Sequence, residues 1–141
     1  MTDCIFCKIA KSEIPCHKIY EDENYIAFLD ILPFCLGHTE VIPKKHYRWV
    51  WDVEDIGEYF AVCQKIANHY KKVLGTDLVI SLIFGEQVPH AHIQLLPDTG
   101  GCREKFGEKL APLRMPKLED GLAKEIAKKL RLKRNKSLVS V

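Results

Sequence analysis

Two groups of residues in this chain are of types that do chemistry at short, fixed spacings. The first is His90-Ala91-His92-Ile93-Gln94, inside the stretch Val88 to Pro97. Polar and apolar residues alternate there, which predicts a β-strand. Side chains i, i+2 and i+4 of a strand share one face, roughly 6.5–7 Å apart, so His90, His92 and Gln94 should point the same way. Ala91, Ile93 and Leu95 then face the hydrophobic layer behind them. Two imidazoles and an amide in a row are either a preorganised site or the polar face of a half-exposed strand. The second group is Cys4-Ile5-Phe6-Cys7. A CxxC is redox-active, metal-binding or accidental. Thioredoxin-like use would need a strand before it, and none precedes it here. Zinc would need two further ligands from a distance, for which His46 and His90 are available.

The elements that must position these groups are readable from periodicity. His17 to Tyr20 and Tyr25 to Asp30 flank the turn-like Glu21-Asp22-Glu23-Asn24 and read as a hairpin. Asp30 leaves its strand into Ile31-Leu32-Pro33, where a carboxylate either accepts two hydroxyl hydrogen bonds, as from a ribose, or caps a turn. Gly37 to Pro43 reads as a third strand, followed by Lys44-Lys45-His46. From Asp52 to Leu74 the residues Ile56, Phe60, Cys63, Ala67, Tyr70 and Leu74 recur at spacings of four and three, predicting a long amphipathic helix. Asp52 is its expected N-cap and Gly75 its stop. Asp77 to Phe84 reads as a buried strand that turns through Gly85-Glu86-Gln87 into the His stretch. The segment from Asp98 to Pro116, with Gly107 and Pro112, is expected to be irregular. Leu118, Leu122, Ile126 and Leu130 mark a second helix near the C-terminus.

Length and composition set limits on this reading. One domain of 141 residues is long enough to bury its own core, and 47% hydrophobic with 28% charged residues is a globular balance. No apolar run approaches the roughly 20 residues of a membrane span. With no basic stretch leading into an apolar core at the N-terminus, a cytoplasmic protein is expected, its six cysteines reduced or metal-bound. Residues 114–141 hold nine Lys/Arg against three Asp/Glu, which divides the chain into a core, 1–113, and a basic helix and tail, 114–141. Arg131 to Lys136 is the only basic stretch worth weighing for nucleic acid. A solvated tail accounts for it better.

Together these pieces resemble a family, the histidine-triad (HIT) nucleotide hydrolases and transferases. The resemblance rests on Cys4 to Ile9, Tyr20 to Glu23, Ala27 to Ile31, Gly37 to Lys44 with His46, and Val88 to Ile93. It fades after Pro97. It implies an α+β fold: an antiparallel sheet of about five strands, one long helix packed on it and a second C-terminal helix. It also implies a homodimer, and the cluster Trp49-Val50-Trp51 is compatible with an interface or with core packing. The family motif has a third histidine where this chain has Gln94. That form is similar to the branch containing galactose-phosphate uridylyltransferase and the dinucleoside polyphosphate phosphorylases.

Carried over position by position, the resemblance implies a zinc set of Cys4, Cys7, His46 and His90. Two thiolates and two imidazoles make a closed tetrahedral site with no place for water, hence a structural Zn²⁺. The motif's middle histidine, His92, would be the nucleophile on the α-phosphorus of a nucleotide, with a purine nucleoside phosphate as the expected substrate. Asp30 would bind the ribose, Phe28 and Ile31 would line the base pocket, Gln87 would stand near phosphate, and His38 would lie close to the motif. Gln94 cannot titrate and only donates amide hydrogens to a phosphate oxygen, which favours transfer or phosphorolysis over fast hydrolysis. Two readings of function remain: a nucleotidyl hydrolase or transferase working through His92, and a nucleotide-binding module with little turnover.

Overall fold

The structure, a computed structural model, describes residues 3–133. The chain divides into two compact units, residues 1–108 and 109–141. The first is built on a five-stranded antiparallel sheet ordered β1-β2-β3-β5-β4: β1 Lys18–Glu21, β2 Tyr25–Leu29, β3 Thr39–Pro43, β4 Val79–Leu82 and β5 Ile93–Pro97. The hairpin turn is closed by Asp22, whose Oδ1 accepts the backbone N–H of Asn24 and Tyr25 at 2.8 and 2.7 Å. No described helix is long and apolar enough to cross a membrane, and all six cysteines are unpaired.

The two faces of the sheet bury different things. Tyr25, Ala27, Val41, Ile93 and Leu95 meet the long helix α2, Ile56–Leu74. Ile26, Phe28 and Ile42 point the other way and meet the short helix α1, Ile5–Ala10. The period-two alternation of β2, β3 and β5 thus separates a packing face from the face that bears the chemistry.

Several boundaries differ from those the sequence suggests. The helix starts at Ile56, capped by Asp55, whose Oδ1 accepts the Glu58 N–H at 3.0 Å; Asp52 instead ends a 3-10 turn, Val50–Asp52. Gly75 does end it, in the left-handed region at φ 65°. The stripe against the sheet is Tyr59, Val62, Cys63, Ile66 and Tyr70, while Phe60 and Leu74 are exposed. Two adjacent stripes fit a 3.6-residue period here, and the sheet selects the one centred on Tyr59 and Ile66.

Strand β4 is shorter than Asp77 to Phe84 and only half-buried, because it lies at an edge with one neighbour. The region expected to be irregular contains α3, Cys102–Leu110. It is anchored by one buried residue, Cys102, which packs with Cys35 and Leu96. Phe106 packs on the same cluster one turn later, and a stripe of two residues leaves no readable periodicity. In the second unit α4 spans Asp120–Leu130 with none of its residues buried. Gly121 falls in its first turn, where glycine costs little. The basic stretch Arg131 to Lys136 passes beyond the described residues.

Candidate active site and metal centre

The His stretch is not one continuous strand. Its ladder begins at Ile93, where Val41 of β3 becomes available as a partner. Before that the chain bends and is unpaired as a strand: His90 N–H bonds the Val88 carbonyl at 2.8 Å in a tight turn and Ala91 N–H bonds the Tyr47 carbonyl at 2.7 Å. As a result His90, His92 and Gln94 do not share one surface. His92 and Gln94 face a cleft, and His90, fully buried, turns to the N-terminal cysteines.

Around His90 the donor atoms of Cys4, Cys7, His46 and His90 all lie within 4.8 Å of one another. The Nδ1 of His90 is 3.3 Å from Cys4 Sγ and 3.4 Å from Cys7 Sγ, and the Nδ1 of His46 is 3.2 Å from Cys7 Sγ. Zinc bonds to sulfur and nitrogen at the tetrahedral angle would separate those atoms by about 3.6 Å, so the set is close to the size of a tetrahedral cation site. Protonation favours the same use. Burial pushes His90 down to about 4, so it is neutral, and its Nε2–H donates to the Pro43 carbonyl at 2.8 Å. That bond places the proton on Nε2 and leaves the Nδ1 lone pair to a metal. Burial and the neighbouring Cys4 sulfur push the Cys7 thiol up to about 11.

Local structure supports the arrangement. Cys4 is the N-cap of α1 and its Sγ accepts the Cys7 N–H at 3.4 Å. Six residues are too few to hold a helix by themselves. Phe6 ties α1 down, its ring meeting Phe28, His90 and His92 edge-on at centroid distances of 5.5, 5.9 and 5.4 Å.

The cleft beside this centre has a volume of about 460 Å³, within the range of small-molecule sites. His92 lies in its wall. Its Nδ1 is 2.7 Å from the His90 carbonyl oxygen, which only accepts, so Nδ1 carries the proton and Nε2 keeps its lone pair. Gln94 is held by His38. The Phe34 N–H donates to His38 Nδ1 at 3.1 Å, so His38 carries its proton on Nε2 and gives it to Gln94 Oε1 at 2.8 Å. With its oxygen committed, Gln94 keeps its NH₂ for the cleft.

Phe28, Asp30, Ile31 and Gln87 line the same cleft, with Ile31 85% exposed at the rim. Asp30 Oδ1 accepts the Leu32 N–H at 2.7 Å, closing the turn after β2. Sequence reasoning missed two contributors. One is the wall made by α1, through Ile5, Phe6 and Ile9. The other is Glu40, buried in β3 with its Oε1 3.6 Å from His38 Nε2. A signal existed: Glu40 follows His38 by two residues in a strand, and so shares its face. Burial first and then the Asp30 carboxylate push Glu40 up to about 9. Trp51 and Phe84 are exposed around a smaller hollow that shares His92 and Phe84 with the cleft, while Val50 is buried.

Residues 11–101 match the profile of the HIT domain. His46 and His90 fall inside the match and Cys4 and Cys7 before it. A HIT-like protein of Borreliella burgdorferi is 39% identical over 121 residues, covering 78% of this chain and 87% of that one. An adenosine 5′-monophosphoramidase of Saccharomyces cerevisiae is 39% identical over 99 residues, covering 67% of this chain and 61% of the yeast protein. Among solved structures, a HIT family member from Bacillus subtilis has a TM-score of 0.68 at 30% identity, over 93% of this chain and 99% of its own. A zinc-bound histidine triad family protein from Mycobacterium smegmatis has a TM-score of 0.62 at 34% identity, over 70% of this chain and 77% of its own. With its five-stranded antiparallel sheet and these matches, the chain belongs to the HIT-domain family.

Proposed function

We propose that this protein is a nucleotidyl hydrolase or transferase that works through a nucleotidyl-histidine intermediate on His92. The observation that carries the reading is the 2.7 Å bond from His92 Nδ1–H to the His90 carbonyl, which leaves Nε2 as a free nucleophile in a nucleotide-sized cleft. The Nε2 lone pair attacks the α-phosphorus, the bond to the leaving oxygen or nitrogen breaks, and the leaving group takes that electron pair. The proton on Nδ1 stays where it is, and the His90 carbonyl stabilises the imidazolium that results. Water or another acceptor then attacks phosphorus and the P–N bond breaks, restoring neutral His92. The Gln94 NH₂, aimed by His38, donates to a non-bridging phosphate oxygen in both steps. It supplies no proton to the leaving group, so a leaving group that protonates easily or an acceptor other than water is favoured.

In the same reading Asp30 binds the ribose, Phe28 and Ile31 hold a purine base, and Gln87 donates to phosphate. Cys4, Cys7, His46 and His90 hold a structural Zn²⁺. When bound it supplies cross-linking rather than chemistry, fastening α1 and the His90 backbone that in turn orients His92. We extend the proposal to a cytoplasmic homodimer, for which sedimentation of the zinc-loaded protein is the check. That the yeast relative is named an adenosine 5′-monophosphoramidase supports hydrolysis of a P–N or P–O bond to an adenylyl group.

The second reading, a binding module with little turnover, is favoured by one feature, the non-titrating Gln94. An intact-mass time course separates the two. The protein and its His92→Ala variant are mixed with nucleoside phosphoramidates, dinucleoside polyphosphates and nucleotide sugars. An adduct of nucleoside monophosphate mass, absent from the variant, supports the enzyme. Binding without adduct or product across the panel supports the module.

A further inference from the structure

We propose that Glu40 is a specificity-determining residue that hydrogen-bonds one hydroxyl of a ribose cis-diol, with Asp30 taking the other, so that the protein selects ribonucleotides over their deoxy counterparts. The inference rests on the nucleotide reading above and adds a recognition group to it. The sheet register supplies the geometry. Glu40 pairs with Phe28 of β2 on one side and with Gln94 of β5 on the other, so these three side chains form a row across the cleft floor. Phe28 stands at the proposed base end and Gln94 at the proposed phosphate end. Glu40 therefore lies where a sugar linking the two must pass.

Its hydrogen-bonding state asks for a ligand. Glu40 is 5% exposed, and its Oε2 is buried with no hydrogen-bond partner among the described residues. Its donor atoms lie within 4.8 Å of those of Asp30 and His38. His38 is already committed through Nε2 to Gln94, so it cannot answer for Glu40. Asp30 has Oδ1 engaged by the Leu32 N–H, and its carboxylate is the one hydrogen-bonding neighbour of the Glu40 carboxyl until a diol comes between them. A vicinal diol offers two hydroxyls, each able to donate and accept, and a second carboxyl beside Asp30 gives the second hydroxyl a partner of its own.

The pair is complementary to such a diol in charge as well. Glu40 holds its proton at neutral pH and offers both a donor and an acceptor, while the Asp30 carboxylate accepts. A structural role explains the residue less well. A buried carboxyl left unsatisfied costs folding free energy, and an apolar side chain would suit a strand whose neighbours are Val41 and Ile42. A divalent cation between Asp30, His38 and Glu40 fits less well too, because the His38 nitrogen that faces them carries a proton.

The test is calorimetric binding of AMP, 2′-deoxy-AMP and 3′-deoxy-AMP to the full-length, zinc-loaded protein and to Glu40→Leu and Glu40→Gln. The wild type should prefer AMP to each deoxy isomer. In Glu40→Leu that preference should fall by about tenfold for one isomer, the loss of a single hydrogen bond to a neutral partner, which identifies the hydroxyl concerned. Glu40→Gln keeps a donor and an acceptor and should restore most of the preference, an outcome that a packing role would not produce. Affinity ratios that are the same in wild type and Glu40→Leu overturn the assignment of Glu40 while leaving nucleotide binding intact. Absence of binding of all three nucleotides to the wild type overturns the nucleotide reading together with this inference.

Discussion

Replacing Glu40 by Gln should change how stability depends on pH, and the direction follows from where the carboxyl sits. Burial in the cleft floor, then the hydrogen bond and charge of Asp30, raise Glu40 from an ordinary 4.5 to about 9. Asp30 and His38 are the titratable groups that face it. The folded protein thus binds this proton more tightly than the unfolded chain does. The associated stability is fully present below about pH 4.5 and is lost progressively as pH rises toward 9. Inside that window the slope is at most about 1.4 kcal/mol per pH unit. Taking half of that slope for a carboxyl that still reaches the cleft, about 1–2 kcal/mol is expected between pH 6 and pH 8. In a protein of this size that is a shift of roughly 3–6 °C in melting temperature. The assay is thermal unfolding of zinc-loaded wild type and Glu40→Gln at about four values from pH 5 to pH 8, inside the window set by the shift. Gln has no proton to lose, so the variant should gain on the wild type steadily as pH rises. Parallel curves would refute the reasoning, since they would mean that Glu40 titrates normally and is not held protonated by its site.

Three further outcomes follow from the same geometry. Wild-type protein should carry about one zinc per chain by elemental analysis and Cys4→Ser close to none; as structural zinc contributes on the order of 10 kcal/mol to small domains, even partial loss should lower the melting temperature by more than about 10 °C. Near-zero zinc in both proteins would reject the metal. Gln94→His should speed decay of the His92 adduct at least about tenfold by restoring a group able to move a proton, measured in single turnover, and an unchanged rate would show that Gln94 does not limit hydrolysis. Gly37 has φ 94°, and a Cβ added there would lie only 2.9 Å from Cγ of the Pro97 ring, so Gly37→Ala should be poorly tolerated. A loss of about 1–3 kcal/mol in denaturant unfolding is expected, and an unchanged midpoint would contradict it.

Local chemistry made much of this protein readable in its sequence. Short apolar runs bounded by turn residues mark β2 and β3, Asp22 closes a turn with its own backbone two and three residues on, and Gly75 stops a helix because it accepts φ 65°. Each of these depends on neighbours along the chain. The resemblance to a family brought Cys4, Cys7, His46 and His90 together as a set, which spacing alone left open. Tertiary structure decided the rest. Whether a residue near the His stretch belongs to a strand depends on where Val41 offers a partner, so His90 diverges from His92 although the alternation runs through both. Helix α2 carries two apolar stripes, and only the sheet chooses between them. Helix α3 is held by Cys102 and Phe106 and α1 by Phe6, Ile9 and the cysteines, too few contacts to leave a periodic trace. Glu40 is the sharpest case. Its letter in the sequence reads as an anionic surface residue. Only burial between Phe28 and Gln94, beside Asp30, turns it into a neutral donor in the cleft floor, because the free energy of a charge is set by its surroundings in space rather than along the chain.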